Sequence, residues 1–483
     1  MRSYRLWTLL PALVAALAAC GRSELHGRSR HTTATAAGGE GGQGGSGGAE
    51  PSESCSDQAW AKGYGDTSDQ LARTLAPDGS CGVVLTGLFA GTIKIGDKTL
   101  VSAGSTDAFV TKIDGFGQPS WSLGLGNHGA AEQFGVAAAA DPDGNVLVAM
   151  TAEGAIDVGG GMLSAPGGTN VVVAKYSDKG KHVWSKLLGD GDMQYGTHVA
   201  SDQAGNMIVA GQFRGTIDFG PISVSSTAQY DVFVAKTDRT GKALWAWHLG
   251  DTASATIEAL AVDRSGNAFV AGSFDGTAEL GGETVTSNGV DVFLVSLDPA
   301  GKMLATKAFQ GPNAQYPTTL AFSDTGELLL AGYFQQSIAF GSDLLVATGD
   351  NDAFLARLKA SFEPISAHSF GISGNVRPRS LAVDRNGNAW LVGSFDASVD
   401  FGSGELEAQG GTDGFVAKFA RDDTALEAFR FGDASDEEAS AAVVDYDGHL
   451  VLAGTFAGTV DFGTGYSLQS AGGKDVFLAK GPK

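Results

Sequence analysis

Positive charge is scarce in this chain of 483 residues: 32 Lys and Arg stand against 54 Asp and Glu, for a formal net charge of −22. Nucleic-acid binding needs Lys and Arg clustered against phosphates, so this balance excludes that class of partner. The acidity reads as a solubility device. Charged residues of both signs reach only 18%, below the roughly 25% of an average domain. Cysteine is almost missing, with three copies, and no CxxC or Cys/His spacing offers a zinc site. The eight histidines are scattered, and neither HExxH nor a GxSxG elbow occurs, so the common hydrolytic constellations are excluded. Gly-rich text is abundant, but none of it stands before a basic residue and a helix, as a phosphate-cradling loop requires. The apolar run Leu6 to Ala19 is too short and wrongly flanked for a stable membrane span. No cofactor and no metal is called for.

Glycine is plentiful, at 71 residues, and so is repetition. One word recurs every 60 to 63 residues: DAFVTK from Asp107, NVVVAK from Asn170, DVFVAK from Asp231, DVFLVS from Asp291, DAFLAR from Asp352, DGFVAK from Asp413 and DVFLAK from Asp475. A period of this length marks supersecondary units that bury their faces only against their neighbours. In the copy from Glu258 to Gly311, LAVD and NAFVAGSF flank the turn Arg264-Ser265-Gly266, and DVFLVSLD and MLATKAF flank Pro299-Ala300-Gly301. Each pair is a hairpin signal. The turn Asp recurs as Asp78, Asp141, Asp202, Asp324, Asp384 and Asp445. Four short, nearly continuous apolar strands per unit are buried on both faces. Repeated radially, such a unit is a β-propeller blade. TIDFG from Thr216 and TVDFG from Thr459 add a short strand or turn between the second and third strands.

The two chain ends separate a ring from a linear solenoid. The first strand-like segment surrounds Trp60 and matches the outer strand of a unit, because Trp121, Trp184 and Trp245 each precede a Gly by five residues, as Trp60 does. The last segment, from Asp475, matches a third strand. Setting the Trp60 strand beside it completes a seventh unit, whereas an open solenoid gains nothing from the offset and needs polar caps. The expectation is an all-β, seven-bladed β-propeller over residues 58–483, closed by the N-terminal strand.

The text AVDRSGNAFVAGSF (Ala261 to Phe274), DVFLVSLD (Asp291 to Asp298) and the Trp-containing strand before Gly250 resembles the SBBP class of bacterial β-propeller repeats over about residues 58 to 481. The chain departs from that pattern at Thr306, Ser366 and Glu427 in place of Trp, Asn170 in place of Asp, and Ser296 in place of Lys. The resemblance implies a secreted or surface-displayed propeller and no particular reaction.

At the N-terminus, Arg2 and Arg5, the apolar run and Leu17-Ala18-Ala19-Cys20 form a secretory signal over residues 1–19. Its ending resembles the lipobox of bacterial lipoproteins, which implies acylation of Cys20. Several acyl chains on one residue anchor stably, and by resemblance to enterobacterial lipoprotein sorting, Gly21 after the Cys implies the outer membrane of a bacterial envelope. Residues 20–57 form a tether, with Gly in eight of the eleven places from Gly38 to Gly48, and such text stays a flexible coil. Cys55 and Cys81 remain as an even pair in an oxidising compartment. Bonded, they would close a loop of about 26 residues and contribute roughly 3 kcal/mol; two free thiols are the alternative.

A residue present in every copy serves the scaffold, so function is sought where the copies disagree. The Asp and Lys of DVFVAK are assigned to hydrogen bonds with neighbouring backbone, and the Trps to packing between units. Asp141-Pro-Asp143-Gly-Asn145 and Asp445-Tyr-Asp447-Gly-His449 provide too few oxygens at too short a spacing for an EF-type calcium loop, and read as capped turns. The loops entering each unit vary most, and a rigid scaffold commonly carries function on such loops. They place Tyr195, His198, Tyr316, Arg377 and Arg379 as candidate ligand-binding residues for a sugar, peptide or charged polymer. The resulting reading is a lipid-anchored, monomeric, non-enzymatic binding or scaffold module with a protein or glycan partner. One alternative is a polysaccharide lyase or hydrolase, with acids such as Glu132, Asp192 or Glu258 placed about 5 to 10 Å apart. Another is an envelope-assembly factor, by fold analogy alone.

Overall fold

The computed structural model describes residues 55, 57–126, 133–164, 167–226, 230–250, 254–462 and 465–481. The signal segment 1–19, Cys20, nearly all of the tether and Glu132 lie outside the described residues. The described chain is all-β, built chiefly of four-stranded antiparallel sheets. The sheet of the first unit runs Gln70–Pro77, Val83–Phe89, Asp107–Ile113 and Pro119–Leu125 from its inner to its outer edge. Two later sheets merge through a short parallel bridge, Gly289 to Asn313 and Val290 to Ala314. Two-stranded ribbons such as Thr216–Asp218 with Ser223–Ser225 leave the second and third strands, as the TIDFG text indicated.

Burial explains the strand text. In Asp231–Thr237 every residue is buried, and so is every residue of Val83–Phe89, because each sheet is covered on both faces. The core therefore lies between sheets. Val84 and Leu88 of the first unit pack with Val136, Val148 and Met150 of the next. The inner strands Gln70–Pro77, Gln133–Ala140, Gln194–Ser201, Ser254–Val262, Asn313–Phe322, Val376–Val383 and Glu437–Val444 each contact the next, and the last contacts the first. The strand Trp60–Tyr64 pairs antiparallel with Asp475–Lys480, from Trp60↔Lys480 to Tyr64↔Val476, and so supplies the fourth strand of the last sheet.

Each inner strand slips register once. The unpaired residues are Arg73, Gly135, Thr197, Glu258, Thr318, Arg379 and Ser440. A bulge bends its strand and re-aims a side chain; here it also pushes a carbonyl oxygen toward the second strand. A Cβ on Gly272 would lie 2.1 Å from the Thr256 oxygen and 2.5 Å from the Phe293 ring, and Gly87, Gly211, Gly332 and Gly454 meet the same crowding. That close approach is why AG recurs before the aromatic of the third strand. The second unit holds Met150 there instead: its bulge falls one residue earlier, at Gly135, and Val172 replaces the Phe.

The tryptophans join consecutive units. The indole N–H of Trp121, Trp184 and Trp245 donates to the carbonyls of Asp178, Arg239 and Pro299 in the following unit. Trp60 donates to Gly115 at 3.2 Å, across the junction of the last and first sheets. Two expectations need correcting. Ala305, not Thr306, occupies the Trp position, since it pairs with Ser296 as Trp245 pairs with Lys236; the extra residue Gln310 before Gly311 upset the count back from the Gly. Likewise Ser323, not Asp324, heads its turn and accepts the Glu327 N–H at 3.0 Å, while Asp324 pairs with Arg264.

At the entry to the first and third units a Gln, Gln70 or Gln194, bridges the preceding loop. Gln194 Nε2 donates to Asp190 Oδ1 at 2.8 Å, and its Oε1 accepts the Asp190 N–H. The last unit has Glu437 there, accepting the Asp433 N–H at 3.0 Å beside the Asp413 carboxylate. Burial, helped by the charges of Asp433, Asp413 and Asp436 and opposed by that N–H, raises Glu437 from 4.5 to about 8. A protonated carboxyl can donate as the amide does. With the folded value above the unfolded one, the contribution of Glu437 to stability is complete below about 4.5 and is lost as pH rises through 8. Glu437→Gln should therefore melt close to the wild type at pH 5 and above it at pH 9, with a flatter profile of Tm against pH. A variant profile parallel to that of the wild type would contradict this assignment.

Candidate functional site

The position three residues after each entry Gln, or its equivalent, lines the space the inner strands enclose in five units, as Arg73, Glu258, Thr318, Arg379 and Ser440. In the second unit the equivalent Val136 packs into the core between sheets instead. A cavity of about 600 Å³ is lined from all seven inner strands, with Arg73, His198, Glu258, Thr318 and Arg379 among its polar residues and Ala76, Ala139 and Ala200 among its small apolar ones. A second cavity, of about 390 Å³, adjoins it between the first and last inner strands and shares Arg73, Arg379 and Ser440. The second cavity adds Glu438, Asp436 and Lys474.

These groups are electrostatically coupled. Arg379 holds Glu438 with Nε–Oε1 at 3.1 Å, and its Nη2 donates to Oε2 at 3.2 Å. Arg73 reaches solvent at its tip but is otherwise closely surrounded, and this desolvation lowers its pKa; Glu438 acts the other way and Arg379 the same way. Glu258 is raised by burial, partly offset by the Thr256 hydroxyl, which donates to it at 2.7 Å. His198 is half-buried on the cavity wall, and desolvation drives its pKa down to about 4; its Nδ1 lies 2.8 Å from Thr197 Oγ1.

The five candidate residues lie on inner strands rather than on the loops where they were expected. His198 and Arg379 meet in the larger cavity. Arg377 stacks 5.6 Å over the Tyr333 ring, and Tyr316 lies 5.1 Å from the same ring, so this pair forms an aromatic platform. Tyr195 stands apart, 6.4 Å from Tyr230, with both hydroxyls donating to Met193 Sδ. Of the acids considered for polysaccharide cleavage, Glu258 lines the cavity, whereas Asp192 faces Arg214 at 3.6 Å. Sequence reasoning missed Arg73, Tyr230 and Tyr333. Arg73 had a usable signal: it follows Gln70 by three residues, the offset at which the copies differ most in chemistry.

The recurrent acids also resolve. Asp352 Oδ2 accepts the Thr348 N–H, and Asp475 Oδ2 accepts the Ala471 N–H, the backbone role expected. The recurrent Lys has a different role: it forms an ion pair with the turn Asp, as Lys175 with Asp141 at 2.7 Å, Lys236 with Asp202 at 2.9 Å and Lys480 with Asp445 at 2.6 Å. Asp141 also caps its turn through the N–H groups of Asp143 and Asn145. Cys55 and Cys81 form a disulfide, and the Cys55 N–H donates to Asp447 Oδ2 at 2.8 Å.

No family model matches the chain. It is 24% identical over 347 residues to the regulatory protein FlaEY of Caulobacter vibrioides, a match covering 65% of this chain and 35% of that protein. It is 25% identical over 154 residues to an uncharacterized WD repeat-containing protein, L264, of Acanthamoeba polyphaga mimivirus, covering 28% and 11%. The chain thus spans about a third and about a tenth of the length of these relatives. Among solved structures, a puromycin hydrolase S511A mutant complexed with PGG aligns at 12% identity with a TM-score of 0.46, over 83% of this chain and 53% of that one.

His198 gives a direct check of the site. Its folded pKa of about 4 lies below the 6.5 of the unfolded side chain, so the stability it contributes is complete above 6.5 and lost as pH falls through 4. In an NMR titration its ring should remain neutral at pH 5.5; a charged ring at that pH would place it in open solvent instead.

Proposed function

We propose that this chain is a seven-bladed β-propeller, closed by the Trp60 strand and anchored in a bacterial envelope by lipid on Cys20. It acts there as a non-enzymatic binding module. The cyclic contacts of the seven inner strands and the pairing of Trp60–Tyr64 with Asp475–Lys480 support the ring. One observation carries the binding reading. In five of the seven units the bulge aims a residue into the enclosed space, and there the repeat abandons uniformity for Arg73, Glu258, Thr318, Arg379 and Ser440. Scaffold positions repeat their chemistry around the ring, whereas a ligand that is not seven-fold symmetric needs asymmetric contacts. The Tyr316–Tyr333–Arg377 platform beside the cavity supplies flat faces for a sugar ring or a peptide. The enzymatic alternative has one observation in its favour, the burial-raised carboxyl of Glu258; among the described residues the other acid considered for it, Asp192, faces Arg214.

The test uses the full chain in its envelope, with a photo-cross-linker at the platform. The wild type should capture a defined set of partners, and Tyr316→Ala with Arg377→Ala should lose most of it. Cys20→Ser should release the chain from the membrane fraction. An unchanged capture pattern in the platform variant would remove this face from the reading. Turnover of a polysaccharide that Glu258→Gln abolishes would replace binding with catalysis.

A further inference from the structure

We propose that the 390 Å³ cavity between the first and last inner strands is a carboxylate site, with Arg73 as the group that receives the ligand's carboxylate. The inference rests on the binding reading above and narrows its ligand.

Three cations line the cavity, and two of them are engaged. Arg379 is held by Glu438, and Lys474 lies 3.7 Å from Asp436. Arg73 has no hydrogen bond or ion pair among the described residues, although its surroundings desolvate it. The guanidinium offers five donors and no acceptor, and it reaches solvent in the cavity, where it is open to a ligand. The fork of those donors fits a planar carboxylate through two parallel hydrogen bonds. The Arg379–Glu438 pair beside it holds the second guanidinium within electrostatic reach of Arg73.

The rest of the wall sets the ligand's character. Thr412, Ser440 and Thr455 bring hydroxyls to the cavity, and Leu71 and Ala72 give it an apolar side. Thr455 Oγ1 already accepts the Ala72 N–H at 3.1 Å, which leaves its own hydrogen free to donate. Such a wall suits a carboxylate on a small hydroxylated body. Glu438 and Asp436 in the same wall disfavour a dianion such as sulfate or a phosphate ester. Three cations and three acids, Asp436, Glu437 and Glu438, line this wall, a more even balance than the net −22 of the chain, which favours a monoanion here over the rest of the acidic surface. The ligand class is a sugar acid, either as a free monomer or as one unit of an acidic polysaccharide.

Calorimetry on the full chain decides it, with D-glucuronate as probe, glucose and sulfate as controls, and an oligogalacturonide as the polymer arm. Glucuronate should bind saturably while glucose and sulfate do not. Arg73→Ala should weaken binding roughly tenfold or more, the size of a hydrogen bond to a charged group. Arg73→Lys should restore part of it, and Arg264→Ala, in an exposed pair with Asp324, should bind as the wild type does. Tighter binding of the oligomer would assign the site to a polysaccharide, and equal binding of the monomer to a free acid. The proposal is overturned if glucuronate does not bind, if sulfate or glucose binds as well, or if an Arg73→Ala variant of unchanged Tm keeps full affinity. Its failure would leave the cross-linking result at the Tyr316–Arg377 platform standing, so the two readings fail separately.

Discussion

One short antiparallel pairing, Trp60–Tyr64 on Asp475–Lys480, carries the consequences for everything else. A four-stranded sheet with both faces apolar is stable only when both are covered, and in a row of such sheets the two end sheets each keep one bare face. The proposed closure, through the pairing of the Trp60 strand with the last strand, would remove both. The first and last units share a single core, with Trp60, Tyr64, Leu75, Phe109, Val451 and Leu478 in contact. The same junction is reinforced by the Trp60 indole on Gly115, by the Tyr466 hydroxyl donating to the Ala59 carbonyl at 2.8 Å and by the Cys55–Cys81 disulfide. The disulfide ties the segment ahead of the Trp60 strand to the first unit's turn, so it crosses the place where a ring of this kind would open.

Rigid repetition and local deviation divide the work between them. Gly in the second strand, Phe in the third, and the buried Lys–Asp pair recur because each relieves a problem that most units share: a carbonyl pushed inward, a face to fill, a charge to neutralise. The bulge that makes the Gly necessary is also what turns Arg73, Glu258 and Arg379 toward the enclosed space. Scaffold and site thus share one cause. A propeller without the bulge would keep its sheets and lose the side chains that line its mouth.

Much of the architecture was legible because periodic burial writes itself into periodic text. The four strands per unit, the ribbon at Thr216 and the pairing of the two chain ends all appear as repeated or offset words. The bulge left no such trace, since pairing register depends on the partner strand. The candidate residues His198 and Arg379 were found through variation among copies, but were assigned to loops because the slip that exposes them was invisible. Arg73 was passed over because the first unit lacks a preceding complete copy to compare with. Single insertions and exchanges misled in the same way. Gln310 shifted the Trp position from Ala305 to Thr306, and Ser323 yielded its place on paper to Asp324. Glu437 stands in an acidic run, Asp436-Glu437-Glu438, that gives no sign of its burial, whereas that burial makes it a stand-in for Gln.

The closure itself is open to direct measurement by amide hydrogen exchange. If the ring is sealed as proposed, the amides of residues 60–64 that bond to the last strand should exchange only with global unfolding, at the rate of the buried third strands such as Asp231–Thr237. Rapid exchange at 60–64, with the third strands still protected, would show an open end and contradict the account.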